Sequence, residues 1–200
     1  MPRAAMSDEE AYTSMAGGPS PPEVLSHITG NAPVWLKEAA VRWYLRLGVL
    51  GDTGYGWRMR RRIAIHEVSL EPDLDDPEKL SAKTVTEIEV TPDMCNAQGG
   101  LSQGCMSCLI DEGSAISLLL MKLWHGGVDE IGVSQTLNLF FHQVVPRPGD
   151  KIKIINRSVA TGVDVGCCKS EIWDVKSHKL VVSGAQIQMA PTVKPTRSNL

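Results

Sequence analysis

Apolar residues recur along this chain with two different periods, and the switches between them outline the fold. Pro33 to Leu47 places Val34, Trp35, Ala39, Val41, Tyr44 and Leu45 at helical spacing with charges between them, which predicts an amphipathic helix. Gly48 and the Gly-Asp-Thr-Gly-Tyr-Gly stretch that follows predict its stop. From about Arg58 the period becomes two, predicting strands over 60–70 and 83–91 around an acidic, proline-containing loop at 71–78. Residues 100–124 then form one run that is apolar on most sides, as in a helix buried within protein. Period two returns in 130–141, 151–159, 164–173 and 179–189. Pro146-Arg-Pro-Gly149, Thr161-Gly162 and Lys176-Ser-His178 supply the breaks.

Helix, two strands, a long buried helix and four more strands at hairpin spacing predict an α+β fold rather than a doubly wound sheet. About six antiparallel strands should curl around the long helix and leave edges, which pairing with a second copy would cover. A homodimer or a dimer of dimers is expected on that ground. Residues 1–22, rich in Ala, Ser, Gly and Pro, are expected to be a disordered leader. Residues 23–57 are expected to be an N-terminal helix and linker, 58–190 the main domain and 191–200 a polar tail.

Composition narrows the function classes. Two hundred residues with 42% hydrophobic content suit one domain with a sizeable core. A net charge of −3 gives no nucleic-acid footprint; the basic cluster Arg58 to Arg62 reads as the solvated face of a strand. The N-terminus lacks the apolar segment of a secretory signal, and no uncharged apolar run reaches the roughly 20 residues of a membrane span. Five cysteines without such a signal suggest reduced thiols in the cytoplasm, with the mitochondrion as the alternative. Cys105-x-x-Cys108 is half a metal site at most, and Cys167-Cys168 would point to opposite faces of a strand. Neither a metal nor a cofactor is called for.

Asp111 and Glu112 are the only charged residues between Asp93 and Lys122, inside the most apolar run of the chain. A carboxylate placed there must be paired, hydrogen-bonded or used. Ahead of it lies a glycine-rich loop, Asn96-Ala-Gln-Gly-Gly-Leu-Ser-Gln-Gly104. The first amides of the helix, at Gln103, Gly104 and Cys105, lack intrahelical partners and sit at the positive end of the dipole. They can polarise a carbonyl and stabilise an oxyanion. Gly104 precedes Asp111 by about two turns, on the same side, with small residues Ser107, Cys108, Ser114 and Ala115 around them. Amide donors, then one acid, suggest hydrolysis with Asp111 as general base. Glu112 is expected at a contact between copies.

The loop, the helix-borne Asp and the strand that follows resemble the hotdog-fold acyl-CoA thioesterases, in particular the PaaI-like, acyl-CoA-thioesterase-13-like branch. The resemblance runs from about Asn96 to Met189. That branch usually carries Asn-x-x-Gly-x-Leu-His-Gly-Gly before a helix with a catalytic Asp; here Asn96, Gly99, Leu101, Gly104 and Asp111 match. Ser102 stands where His is usual and Gln103 where Gly is usual. Gly132-Val133-Ser134, with Asn138, is similar to the family's Gly-Val-Ser segment, which implies that Ser134 holds the attacking water. The resemblance also implies that Asn96 orients the loop or the substrate carbonyl, and that loop and acid of one site come from different subunits. Ser102, Gln103 and Cys105 are then expected to meet the substrate, an acyl-CoA or another acyl thioester. Arg147, Lys151, Lys153 and Arg157 are candidate partners for CoA phosphates. His125-Gly126-Gly127 follows the helix and reads as its stop. A non-catalytic acyl-thioester binding protein and a hotdog dehydratase or tailoring enzyme are the alternatives; no His stands in the loop just before the helix, which disfavours the dehydratase.

Overall fold

A computed structural model describes residues 22–48, 55–72, 76–162 and 165–191. Residues 1–21 of the expected leader, most of the Gly-Asp-Thr-Gly-Tyr-Gly stretch and nearly all of the polar tail lie outside these, while Pro22 opens a short helix. Six antiparallel strands form one sheet: β1 (Ala64–Pro72), β2 (Leu80–Glu89), β3 (Val133–Phe141), β4 (Lys151–Thr161), β5 (Val165–Asp174) and β6 (Lys179–Met189). Their order is β1-β2-β4-β5-β6-β3, so β3 crosses over to the far edge beside β6. The helices are α1 (Pro22–Ser26), α2 (Val34–Gly48), α3 (Trp57–Arg60) and α4 (Gln103–Trp124). A curved sheet wrapped on one long helix, with a further helix ahead of it, is the hotdog architecture expected from the sequence.

α4 is long and apolar enough, by length and composition alone, to cross a membrane. Here most of those side chains are buried in protein, Ile110, Ile116, Leu120 and Met121 among them, each at 0% exposure. Its first half packs with Ile88, Ile152, Ile154, Ile172 and Val182 of the sheet and with Met59 of α3. Its second half packs with Leu36, Ala40 and Tyr44 of α2 and with Val68 and Leu70 of β1. α2 therefore covers the outer side of α4 near the β1 edge.

Buried polar residues tie α4 to the sheet. Ser117 shares a 2.7 Å hydrogen bond with Thr84, the Asn156 amide donates to Thr84 Oγ1 at 3.4 Å, and the Ser170 hydroxyl donates to Asn156 Oδ1 at 2.7 Å. Gly113 makes this approach feasible: a Cβ there would stand 2.6 Å from Asn156 Nδ2. Paired in this way, the four groups avoid the penalty of unsatisfied burial.

The basic cluster is not a strand face. Arg58 and Arg60 lie on α3, Arg61 and Arg62 follow in a turn, and β1 begins only at Ala64. The reason is tertiary: Arg60 turns inward to an ion pair with Glu112 of α4, its Nε donating to Oε1 at 2.7 Å. Glu112, expected between copies, is thus held within the chain. Its other oxygen, Oε2, is buried with no hydrogen-bond partner among the described residues.

Candidate functional site

The glycine-rich loop is held by its own first residue. Asn96 Oδ1 accepts from the amides of Gln98 at 3.0 Å and Gly100 at 3.2 Å, so this side chain shapes the loop. Gly99 has φ +75°, which favours glycine, and a Cβ on Gly100 would fall 2.4 Å from Val145 Cγ1. The amides of Leu101 and Ser102 donate to Pro146 and Met94 carbonyls, fastening the loop before α4 begins.

Ser102 is the N-cap of α4. Its backbone is extended (φ −69°, ψ 138°) and its hydroxyl accepts from the Cys105 amide at 3.4 Å. The expectation of three open amides is corrected to two, because this cap engages Cys105. Gln103 and Gly104 are exposed, and their amides have no acceptor among the described residues. Gln103 lies in the first helical turn, where glycine is not required. Both residues border a groove of about 540 Å³ shared with Asn96, Ser102, His142 and Arg147. His142, not singled out in the sequence, follows β3 into this groove and bonds Ser183 at 3.0 Å.

Asp111 is half-buried in the single chain, on a face of α4 beside β3. Its Oδ1 accepts from the Ser134 hydroxyl at 2.7 Å and from Gln186 Nε2. No hydrogen bond from a described residue reaches Oδ2, so one oxygen is fixed and the other open. The β3–β6 register shifts between Ser134 and Thr136, an irregularity of the kind that re-aims a strand side chain. Gln186 is fully buried and its Oε1 accepts from the Ser114 hydroxyl at 2.7 Å. The amide orientation follows: reversed, its oxygen would face a carboxylate.

Sequence reasoning missed Gln186 and the role of Ser114. A signal was present, since Gln186 and Gln188 share the parity of buried Val182 along β6. Ile187 and Met189, at 38% and 42% exposure, point outward instead.

The structure brings Asn96, Ser102, Gln103 and Gly104 together in one place and Asp111 with Ser134 in another. The two places are separate in one chain: Asp111 lies seven residues beyond Gly104, about 10 Å along the axis. The candidate phosphate-binding cations are not gathered. Arg147 alone reaches the groove; Lys151, Lys153 and Arg157 share the outer face of β4, opposite buried Ile152, Ile154 and Asn156. Lys153 pairs with Glu87 and Arg157 with Glu71. Cys105 packs its Sγ 3.2 Å from Met59 Sδ. Burial pushes the Cys105 thiol up to about 11 and that of Cys108, also beside Glu112, up to about 12. Among the described residues no group of His, Cys, Asp and Glu could hold a metal ion.

Neither a protein-family model nor a curated protein matches the sequence. Solved structures do. Zebrafish thioesterase superfamily member 2 superposes with a TM-score of 0.60 at 18% identity, over 78% of this chain and 98% of that one. Thioesterase superfamily member 2 from Mus musculus gives 0.56 at 19% identity, over 76% and 97%. At such identities the likeness establishes the fold.

Proposed function

We propose that two copies of this chain, which has the hotdog fold, form a hydrolase that splits an acyl-CoA or related thioester into free acid and thiol. One observation carries the reading: Asp111 is anchored through a single oxygen by Ser134 and Gln186, which leaves its other oxygen for water. The loop amides of the same chain lie too far along α4 to serve that carboxylate, because a base must come within about 3 Å of the proton it takes. A second copy brought against the open β3 edge would supply them. The names of the structural neighbours accord with this chemistry.

In the proposed reaction, water held by Asp111 Oδ2 and the Ser134 hydroxyl attacks the thioester carbonyl as Asp111 takes its proton. The oxygen of the tetrahedral adduct becomes anionic and is met by the Gln103 and Gly104 amides of the facing copy, each such donor worth about 2.7–4 kcal/mol. Collapse breaks the C–S bond, and the departing thiolate receives the proton from Asp111. Ser102 caps the helix and so presents these amides, a task a serine performs well where imidazole is usual in the family.

The test is release of thiol from a panel of acyl-CoAs, followed with a chromogenic thiol reagent. Turnover above background supports hydrolysis. Binding without turnover makes the protein an acyl-thioester carrier. A dehydratase has one observation in its favour, His142 in the amide-lined groove; hydration of an enoyl-CoA without thiol release would establish it.

A further inference from the structure

We infer that the acyl group enters a chamber at the far end of α4, which selects chains of medium length. This rests on the reading above and concerns the same site. The chamber has a volume of about 290 Å³ and lies between the last turns of α4 and the ends of β5 and β6. Leu118, Leu119, Val165 and Met189 give it apolar walls, and Lys122 and Glu130 stand at its polar end. There the Lys122 ammonium donates to the Glu130 carbonyl at 3.4 Å.

Position links this chamber to the carboxylate. Leu118 follows Asp111 by seven residues, two turns on the same side of the helix, about 10 Å away. On the strand side, Gln188 lines the chamber and stands opposite Ser134 in the β3–β6 ladder, while Gly132 lines it two residues ahead of Ser134. A chain attached to a carbonyl at Asp111 therefore has an apolar volume directly beyond it. In contrast, the groove that the facing copy brings to this carbonyl carries Arg147, His142 and open amides, and suits the charged thiol carrier. The chamber of one copy and the groove of the other differ in polarity, which assigns the direction of the substrate.

Size assigns its length. The volume lies just below the range for drug-sized small-molecule sites, about 300–1,000 Å³. An acetyl group would leave most of it empty, and a palmitoyl chain would run out past the half-exposed Val165 and Met189 into solvent. Gly166 keeps it open, since a Cβ there would come within 3.0 Å of Leu118 Cδ2.

Acetyl-, octanoyl- and palmitoyl-CoA are compared on the full chain, as wild type, Gly166→Val and Leu118→Ala. Octanoyl-CoA should give the highest kcat/KM. Gly166→Val should lower the octanoyl-to-acetyl ratio about tenfold, and Leu118→Ala should raise palmitoyl relative to octanoyl by a similar factor. A folded Gly166→Val protein with an unaltered ratio overturns the chamber but leaves hydrolysis standing. Independently of any variant, the S-octyl thioether of CoA bound to wild type should show its terminal methyl in NMR contact with the Leu118 and Leu119 methyls. Contact elsewhere overturns the assignment. Such contact in a protein that releases no thiol sustains the chamber and sinks hydrolysis.

Discussion

At the scale of single residues, two substitutions separate the halves of the proposed site. Asp111→Asn keeps the size of the side chain and its bond from Ser134 but cannot take a proton from water. Loss of general-base catalysis predicts a kcat lower by about 10²–10⁴-fold with unaltered melting. Gln103→Pro removes one amide hydrogen together with an exposed carboxamide, and Gln103→Ala is the control that removes the carboxamide alone. Proline is tolerated in the first helical turn, and Ser102 before it already has the extended backbone that a following proline demands. Its expected effect is a kcat lower by about 10²–10³-fold with helix content retained by circular dichroism. Normal turnover in either folded variant would remove that group from the reaction.

The elements were largely legible, and their misplacements have identifiable causes. β6 begins and ends where period two and the Lys176-Ser-His178 turn place it, because the signal is local. β1 begins four residues late because Arg60 answers to Glu112, 52 residues away in sequence, and no local pattern announces such a pairing. The loop and Asp111 could be read from residue types and spacing. Gln186 was harder, since a polar residue in a strand is ordinarily on the wet face, and only the phase set by Val182 says otherwise. One turn also predicts a pH effect. The Asp174 carboxyl is held below the usual carboxylate range, first by the Ser177 hydroxyl, against the opposing effect of burial, and also by the amides of Ser177 and Lys176. Its folded pKa is the lower one, so its contribution is complete above the unfolded value and vanishes as pH falls through the folded value. Asp174→Ala should therefore be less stable than wild type at neutral pH. The difference should close in acid, as followed by urea unfolding at a series of pH values.

For the whole molecule, the spacing along α4 makes a strong prediction about assembly. β3 is a free edge in the single chain and carries Val133 at 50% and Phe140 at 69% exposure, the kind of edge that pairs with another copy. If each site joins the acid of one copy to the amides of the other, Asp111→Asn and Gln103→Pro proteins should be nearly inactive alone. Unfolded together and refolded as a mixture, they should regain activity, because every mixed pair contains one intact combination. Mixtures that stay inactive, despite mixed pairs visible by native mass spectrometry, would show that the acid and the amides do not combine across copies.

Gly113 has a wider bearing than its place in the core suggests. Nothing but hydrogen stands between the α4 backbone at Gly113 and the Asn156 side chain, so the helix rests directly on that amide. A methyl group inserted there would act as a shim beneath the helix, tilting Asp111 away from Ser134 and Gln186 without touching any of the three. The reach of the carboxylate is thus calibrated by a side chain the protein omits.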